Sequence, residues 1–222
     1  MEQAIAGAGG FIDSFAGDEI KVLFDTEPDA AVQGGIAMWR ALDALNRRAA
    51  GLGQPELNMG VGVNSGPVVL GTVGARNRIQ CSVIGDTVNL ASRIEQLTKV
   101  YRARLLIAEQ TYLGMRACEA VSVRLVDRVA VKGRAVAVGL YEVLDAETPA
   151  RRAVREGTRA LLEAAIERYT GRDFVGARTL FVDMLAQDGD DAVAPQFIER
   201  CDRYQREPPP PDWQGFERLT SK

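Results

Sequence analysis

The chain has 222 residues, 46% of them hydrophobic, a formal net charge of −3 and no histidine. This length allows one sizeable core plus an appendage, because domains average about 100–200 residues. The acidic balance argues against a nucleic-acid-binding protein, which needs a basic surface to contact phosphates. Without histidine, Ser-His-Asp triads and most zinc sites are excluded, so any catalysis must rest on carboxylates, cations, polar donors or bound metal.

The first part of the chain alternates short β-branched runs with amphipathic helices. Residues 10–15 and 19–24 are predicted to form a hairpin around the turn at 16–18. Thr26 is the predicted N-cap of the next helix. Apolar residues recur in this helix at helical spacing. They are Val32, Ile36, Trp39, Leu42 and Leu45.

The middle of the chain continues this alternation. Strands are predicted at 57–63 and 78–84, followed by a helix with Asp86 as its N-cap. The buried stripe predicted for that helix is Leu90, Ile94, Leu97 and Tyr101. A strand at 104–108 and a hairpin of 121–131 with 136–143 complete the pattern. This order predicts an α+β fold, a mixed sheet with helices packed on it.

The composition changes at about residues 144–150, where we place a boundary between a domain of 1–146 and a tail of 150–222. The tail is predicted to be helical, with the small and aromatic spacing of a single helical repeat unit. A proline-rich stretch at 208–211 cannot continue a helix. Trp213 and Phe216 are the expected apolar anchors of this end.

Three short motifs contain side chains that could bind a metal ion or a phosphate. Each motif by itself is common in proteins. Gly17-Asp18 places a carboxylate on a hairpin turn, where a hard cation could bind it together with substrate phosphates. Asn89 and Arg93 lie one helical turn apart and present an amide and a permanent cation from one side of a helix. Lys132 lies beside Gly133 in a turn and could reach a phosphate as a point charge.

The order of these motifs resembles the bacterial class III adenylate and guanylate cyclase domain. The resemblance covers about residues 3–144 and is most specific from 60 to 95 (GVGVNSGPVVLGTVGARNRIQCSVIGDTVNLASRIE). It implies a ferredoxin-like sheet and the conversion of a nucleoside triphosphate to a cyclic 3′,5′-monophosphate and pyrophosphate.

The resemblance also implies roles for particular residues. Asp18 matches one of two aspartates that hold two divalent metal ions, Mg²⁺ or Mn²⁺. The strand carrying the other aspartate would precede Met1, so we expect this chain alone to be impaired. Asn89 and Arg93 match the pair that orients the ribose and stabilises the transition state, and Lys132 matches the lysine that binds the triphosphate.

Base selection is implied for Ser14 and Ser82. Ser82 resembles the threonine of bacterial adenylate cyclases, whereas Ser14 departs from the lysine usual in adenylate cyclases and from the glutamate of guanylate cyclases. The expected substrate is therefore ATP rather than GTP. Since family members share each site between two protomers, we expect a homodimer, with 74–78 resembling the dimerisation arm.

Two alternatives remain open. The first is a catalytically impaired, cyclase-like module for regulation or dimerisation, favoured by Ser14 and the unmatched aspartate. The second is a helical-repeat interaction protein, which rests only on the segment 150–206. We expect a cytoplasmic domain that binds no nucleic acid, and an upstream sensor or membrane domain is compatible with it.

Overall fold

The structure is a computed structural model that describes residues 1–75, 78–130 and 137–218, with the backbone alone at 72–75, 78–82 and 218. The helices are α1 (Glu2–Gly7), α2 (Pro28–Ala50), α3 (Asp86–Tyr101), α4 (Glu109–Gly114), α5 (Pro149–Thr170), α6 (Phe174–Gln187) and α7 (Val193–Arg206). The strands are β1 (Phe11–Ala16), β2 (Glu19–Leu23), β3 (Val61–Val63), β4 (Val69–Ala75), β5 (Arg78–Ile84), β6 (Leu105–Ala108), β7 (Val123–Ala130), β8 (Ala137–Val143) and β9 (Glu217–Arg218). Within these ranges no helix is both long and apolar enough to cross a membrane.

The predicted α+β class is confirmed, although the strands that the structure describes are divided among three sheets. A five-stranded sheet has the order β3-β6-β8-β7-β9, and β1-β2 and β4-β5 are separate antiparallel pairs. In the large sheet β3 runs parallel to β6, and β9 parallel to β7. The remaining neighbours are antiparallel.

Several predicted boundaries need correction. The strand predicted at 57–63 begins at Val61, and β4 was not predicted. The N-cap of α2 is Glu27 and not Thr26, because Pro28 already occupies the first helical turn. The N-cap of α3 is Gly85 and not Asp86, since Asp86 is already the first helical residue.

Helix α2 covers one face of the large sheet. Its buried side chains Val32, Ile36, Trp39 and Leu42 share a cluster with Leu105 and Ile107 of β6. The remaining member of the predicted stripe, Leu45, is instead 48% exposed.

Hydrogen bonds hold α2 at its middle and near its start. The Trp39 indole N–H donates to the carbonyl of Arg104 at 2.8 Å. Near its start, the Asp29 carboxylate accepts from the backbone N–H groups of Arg116 and Ala117, each at 2.9 Å. The helix is therefore held both beside β6 and beside the segment that follows α4.

The tail shares a core with α3 and the other face of the sheet. Leu90, Ile94, Leu97 and Tyr101 of α3 are buried, as predicted, and belong to one cluster with residues of α5, α6 and α7. The tail contributes Leu162, Ala165, Ile166, Tyr169, Phe174, Ala177, Phe181, Met184, Val193, Ala194, Phe197 and Cys201. The limits of the two predicted domains stay a prediction, but the apolar interior runs across them without a break.

The proline-rich end lies against this tail. Trp213 packs edge-on against Tyr169 at 5.3 Å between ring centroids, and near Phe174 at 5.8 Å. Arg172 donates to the carbonyls of Pro210 and Pro211 at 2.7 and 3.0 Å. Proline nitrogens cannot donate hydrogen bonds, but the proline carbonyls still need donors, and Arg172 supplies them.

Charged side chains also cross between the sheet and the tail. Arg124 of β7 donates to Glu142 of β8 at 2.6 Å and to Asp191, which precedes α7, at 2.7 Å. Arg155 of α5 pairs with Glu142 as well. Burial, with the charge of Arg124 next in effect, lowers the pKa of Arg155 to about 10, so it remains a cation at neutral pH. These side chains are fully buried, and removing one partner would leave an uncompensated charge inside the protein.

Candidate active site

The β1–β2 hairpin presents the predicted metal-binding aspartate at its tip. Ala16 pairs with Glu19, which leaves Gly17 and Asp18 as a two-residue turn. Gly17 has φ of +65°, a backbone conformation that favours glycine, and Asp18 is exposed. The predicted hairpin is confirmed, and it holds the Asp18 carboxylate at a protruding corner.

Ser14 lies three residues before this turn and is half-buried. Its hydroxyl donates to Asp13 Oδ2 at 3.0 Å, at a register shift between Ile12 and Ser14. The residue directly opposite Ser14 on β2 is Lys21. Directly opposed residues of an antiparallel pair project to the same face, so the lysine side chain leaves the hairpin beside Ser14.

Sequence reasoning missed Lys21. Its position could have been found, since counting outward from a two-residue turn at 17–18 pairs 16 with 19, 15 with 20 and 14 with 21. The hairpin thus has a cation next to the position at which the resemblance implies one, on the neighbouring strand.

Helix α3 presents Asn89 and Arg93 together. Both are exposed, one helical turn apart, while Leu90 and Ile94 of the same helix are buried at 3% and 0% exposure. The amide and the guanidinium therefore lie on the outer side of a helix whose inner side is locked into the core.

The loop between β3 and β4 holds the start of α3. Asn64 Nδ2 donates to the carbonyl of Thr87 at 3.0 Å, and Thr87 Oγ1 donates to the carbonyl of Pro67 at 2.7 Å. These bonds fix the first turn of the helix, just ahead of Asn89. Sequence reasoning assigned 64–67 only as a break and did not predict this role.

At Gly62, strand β3 lies so close to α3 that no residue with a Cβ atom would fit. A Cβ built on Gly62 would lie 2.3 Å from the backbone N of Glu95 and 2.5 Å from the carbonyl O of Ala91. Only glycine fits between the strand and the helix at this point. The missing side chain therefore sets the distance between β3 and α3.

The structure describes the other predicted site residues only in part. β1 lies against β5, so the strands that carry Ser14 and Ser82 are neighbours. The side chain of Ser82 lies outside the described residues, as does Lys132 in the segment 131–136. Residues 74–78, predicted to form a dimerisation arm, span the β4–β5 connection, and 76–77 lie outside the described residues.

The position of Asp18 fits a metal ion that takes most of its ligands from water and from the phosphates of a bound substrate. In the part of the chain that the structure describes, no three acidic or cysteine side chains cluster to form a complete metal site. Mg²⁺ keeps several waters and commonly takes one or two carboxylates plus substrate phosphates, so a single exposed carboxylate at a hairpin tip fits that kind of site.

Comparison with known proteins identifies the family. The family model described as the adenylate and guanylate cyclase catalytic domain matches residues 27–143, more than half of the chain. The chain belongs to the adenylate and guanylate cyclase family. Helix α3, both hairpins after α2 and most of the large sheet lie inside the match.

Several curated proteins named adenylate cyclase are similar to this chain. An adenylate cyclase from Anabaena cylindrica is 45% identical over 149 residues, which cover 64% of this chain and 30% of the relative. A terminal-differentiation-specific adenylate cyclase from Dictyostelium discoideum is 36% identical over 208 residues, which cover 89% of this chain and 10% of the relative. The chain thus spans less than a third of either relative, and the second alignment is long enough to extend into the tail.

Solved cyclase structures resemble the chain in fold. The adenylyl cyclase CyaB from P. aeruginosa has a TM-score of 0.56 and 30% identity, covering 64% of this chain and 74% of that one. A guanylyl cyclase has a TM-score of 0.54 and 34% identity, covering 66% and 76%. Structures with either base preference are therefore about equally similar.

Proposed function

We propose that this domain cyclises a nucleoside triphosphate to a 3′,5′-cyclic monophosphate with release of pyrophosphate. The observation that carries the proposal is α3, which exposes Asn89 and Arg93 side by side while its opposite face is buried. An amide and a guanidinium suit this reaction because neither titrates near neutral pH and both can stabilise developing charge on a phosphate.

Each group has a defined task in the proposed reaction. Asn89 orients the ribose so that its 3′-hydroxyl lies in line with the α-phosphate. Arg93 stabilises the charge that develops on the phosphate oxygens, and Lys132 binds the triphosphate. Asp18 would hold the divalent ions, Mg²⁺ or Mn²⁺, whose chemistry is to neutralise phosphate charge and favour ionisation of the attacking hydroxyl.

The substrate proposed is ATP in preference to GTP. The curated relatives named above are adenylate cyclases, and Ser82 is closest to the threonine of bacterial members. Lys21 supports the same choice, because it supplies a cation beside Ser14 where the resemblance implies a lysine for adenine.

The direct test is product formation. The protein is incubated with ATP or GTP and Mn²⁺ or Mg²⁺, and cyclic nucleotide and pyrophosphate are quantified. We expect cyclic AMP to exceed cyclic GMP. Absence of both products would favour the alternative proposal, a regulatory or dimerisation module.

We also propose that two protomers share each site, with Asp18 of one facing Asn89 and Arg93 of the other. Asp18→Ala and Arg93→Ala are then each inactive alone. Mixed in equal amounts, half of the dimers combine the two variants and contain one intact site of two, so about a quarter of wild-type activity returns. A site built within one protomer would give no recovery on mixing.

A further inference from the structure

The C-terminal end of α3 is tied to the tail by a buried hydrogen-bonded triad. The Tyr101 hydroxyl donates to Asp127 Oδ2 of β7 at 2.6 Å, and Arg200 Nη2 of α7 donates to the same oxygen at 2.7 Å. Their exposures are 1%, 2% and 9%. We call Tyr101, Asp127 and Arg200 the α3 clamp.

The protonation states of the clamp suit its hydrogen bonds. Burial, and then the Asp127 carboxylate, raise the pKa of Tyr101 far above its ordinary value, so the hydroxyl keeps its proton and donates it. Burial alone would lower the pKa of Arg200, but the charge of Asp127 outweighs this and raises it. The carboxylate also accepts from the backbone N–H of Arg128 at 2.7 Å, which fixes it on β7.

A second attachment lies one residue further along. Arg102 ends α3 in the left-handed conformation, with φ of +47°. Its carbonyl accepts from Arg151 Nη2 at 2.9 Å and from Arg155 Nη2 at 3.3 Å, both on α5. Cations at a helix C-terminus also interact favourably with the helix dipole, so α5 closes the end of α3 electrostatically as well as by hydrogen bonds.

Thus α5 and α7 both hold the C-terminal turn of α3, and the buried stripe of α3 shares its apolar cluster with all three tail helices. Asn89 lies near the start of α3, and Arg93 lies at its middle. Arg93 is eight residues before Tyr101, or about 12 Å along the helix at 1.5 Å per residue. A tilt of about 10° about the clamp would therefore move Arg93 by roughly 2 Å.

We propose that the C-terminal helical segment acts as a positioning element for the cyclase site, setting the tilt of α3 through the α3 clamp and the arginines of α5. This inference rests on the proposed function of Asn89 and Arg93. Tyr101 and Arg200 touch no substrate in this arrangement; they are positioning residues that act through the helix. Displacements of about 1 Å in a catalytic group can reduce turnover about a hundredfold, so the attachment has a direct consequence for rate.

The test compares two hydroxyl deletions in the same core. Tyr101→Phe removes the clamp hydrogen bond and leaves the ring. Tyr169→Phe is the matched control, since Tyr169 is equally buried at 1% and its hydroxyl donates to Glu217 Oε1 of the tail at 3.2 Å rather than to Asp127. Both variants are assayed for cyclase activity and for thermal unfolding.

We expect Tyr101→Phe to lower kcat about tenfold with KM within about twofold, because orientation in the transition state is lost and substrate binding is not. Tyr169→Phe should keep kcat within about twofold, and Arg200→Lys should retain more kcat than Arg200→Met. Equal losses in Tyr101→Phe and Tyr169→Phe at equal unfolding temperatures would overturn the proposal, as would an unchanged kcat in both.

Hydrogen exchange separates this proposal from the proposed function. Amides of residues 94–101 should exchange several-fold faster in Tyr101→Phe than in Tyr169→Phe, whether or not the wild type makes cyclic nucleotide. If the wild type is inactive, the proposed function fails while the exchange result still decides whether the clamp holds α3. Unchanged exchange in Tyr101→Phe would refute the clamp even in an active enzyme.

Discussion

Gly62→Ala offers a sharp test of how closely α3 must lie against β3. The new Cβ would lie 2.3 Å from the backbone N of Glu95 and 2.5 Å from the carbonyl O of Ala91. Favourable contacts between such atoms fall at about 3.5–4.0 Å, so strand and helix must separate by roughly 1 Å. Because both contacts are backbone atoms, no side-chain rotation can relieve them.

The separation has two measurable effects. Overpacking of this kind costs about 1–3 kcal/mol of stability, which chemical denaturation measures. Asn89 and Arg93 lie on the displaced helix, so kcat should fall about a hundredfold, as expected for a displacement of about 1 Å. Product formation is followed at saturating ATP, at a temperature where the variant remains folded.

A matched control separates helix displacement from the general effect of an added methyl group. Gly157 lies in α5, and a Cβ built there meets nothing within 4 Å. Gly157→Ala should be neutral or stabilising by up to about 1 kcal/mol with wild-type kcat. If Gly62→Ala matched this control in both stability and kcat, the inferred contact between β3 and α3 would be wrong.

Three further predictions concern single side chains. Arg93→Ala should lose most turnover while still dimerising, measured by product assay and light scattering; unchanged turnover would remove Arg93 from the mechanism. Lys21→Met should lower the ATP/GTP ratio of kcat/KM and Ser14→Lys should raise it, whereas no change in either ratio would exclude both residues from base selection. Asp29 tests pH dependence: partial burial favours a higher pKa, but the two backbone N–H donors at 116–117 and the Arg116 charge lower it overall. Its stabilising effect is therefore present above the ordinary value near 3.9 and lost as pH falls through the lower folded-state pKa. The gap in urea midpoint between wild type and Asp29→Asn should narrow as pH falls below the ordinary carboxyl value near 3.9, and a gap independent of pH would contradict this.

Local features were predictable from the sequence. The turn at Gly17-Asp18 follows from glycine and a polar residue between two β-branched runs, and the buried stripe of α3 follows from its helical spacing. Counting through the hairpin would also have placed Lys21 beside Ser14. Such features depend on neighbours within a few residues, whose geometry is fixed by the backbone.

Features that depend on distant partners were not predictable. Arg200 lies 73 residues from Asp127 and resembles an ordinary helix-surface cation in sequence, yet it is buried against that carboxylate. Gly62 belongs to a glycine-rich strand, but its closeness to α3 requires the packed structure. The error at Asp86 has the same origin, because the helix start is set by the bonds of Asn64 and Thr87 and not by a side-chain cap.

A change in composition along the chain does not show whether the two parts are stable independently, and the tail is an example. Composition changes near 144–150, but the helices that follow bury the inner face of α3 and neutralise Arg124 and Glu142 of the sheet. Without Asp191 and Arg155, one buried guanidinium and one buried carboxylate would each lose a partner, and unpaired buried charges are strongly destabilising. Removal of residues 149–222 should therefore unfold or loosen the preceding domain rather than release an independent enzyme, and the helix that exposes Asn89 and Arg93 would be the first element to lose its support.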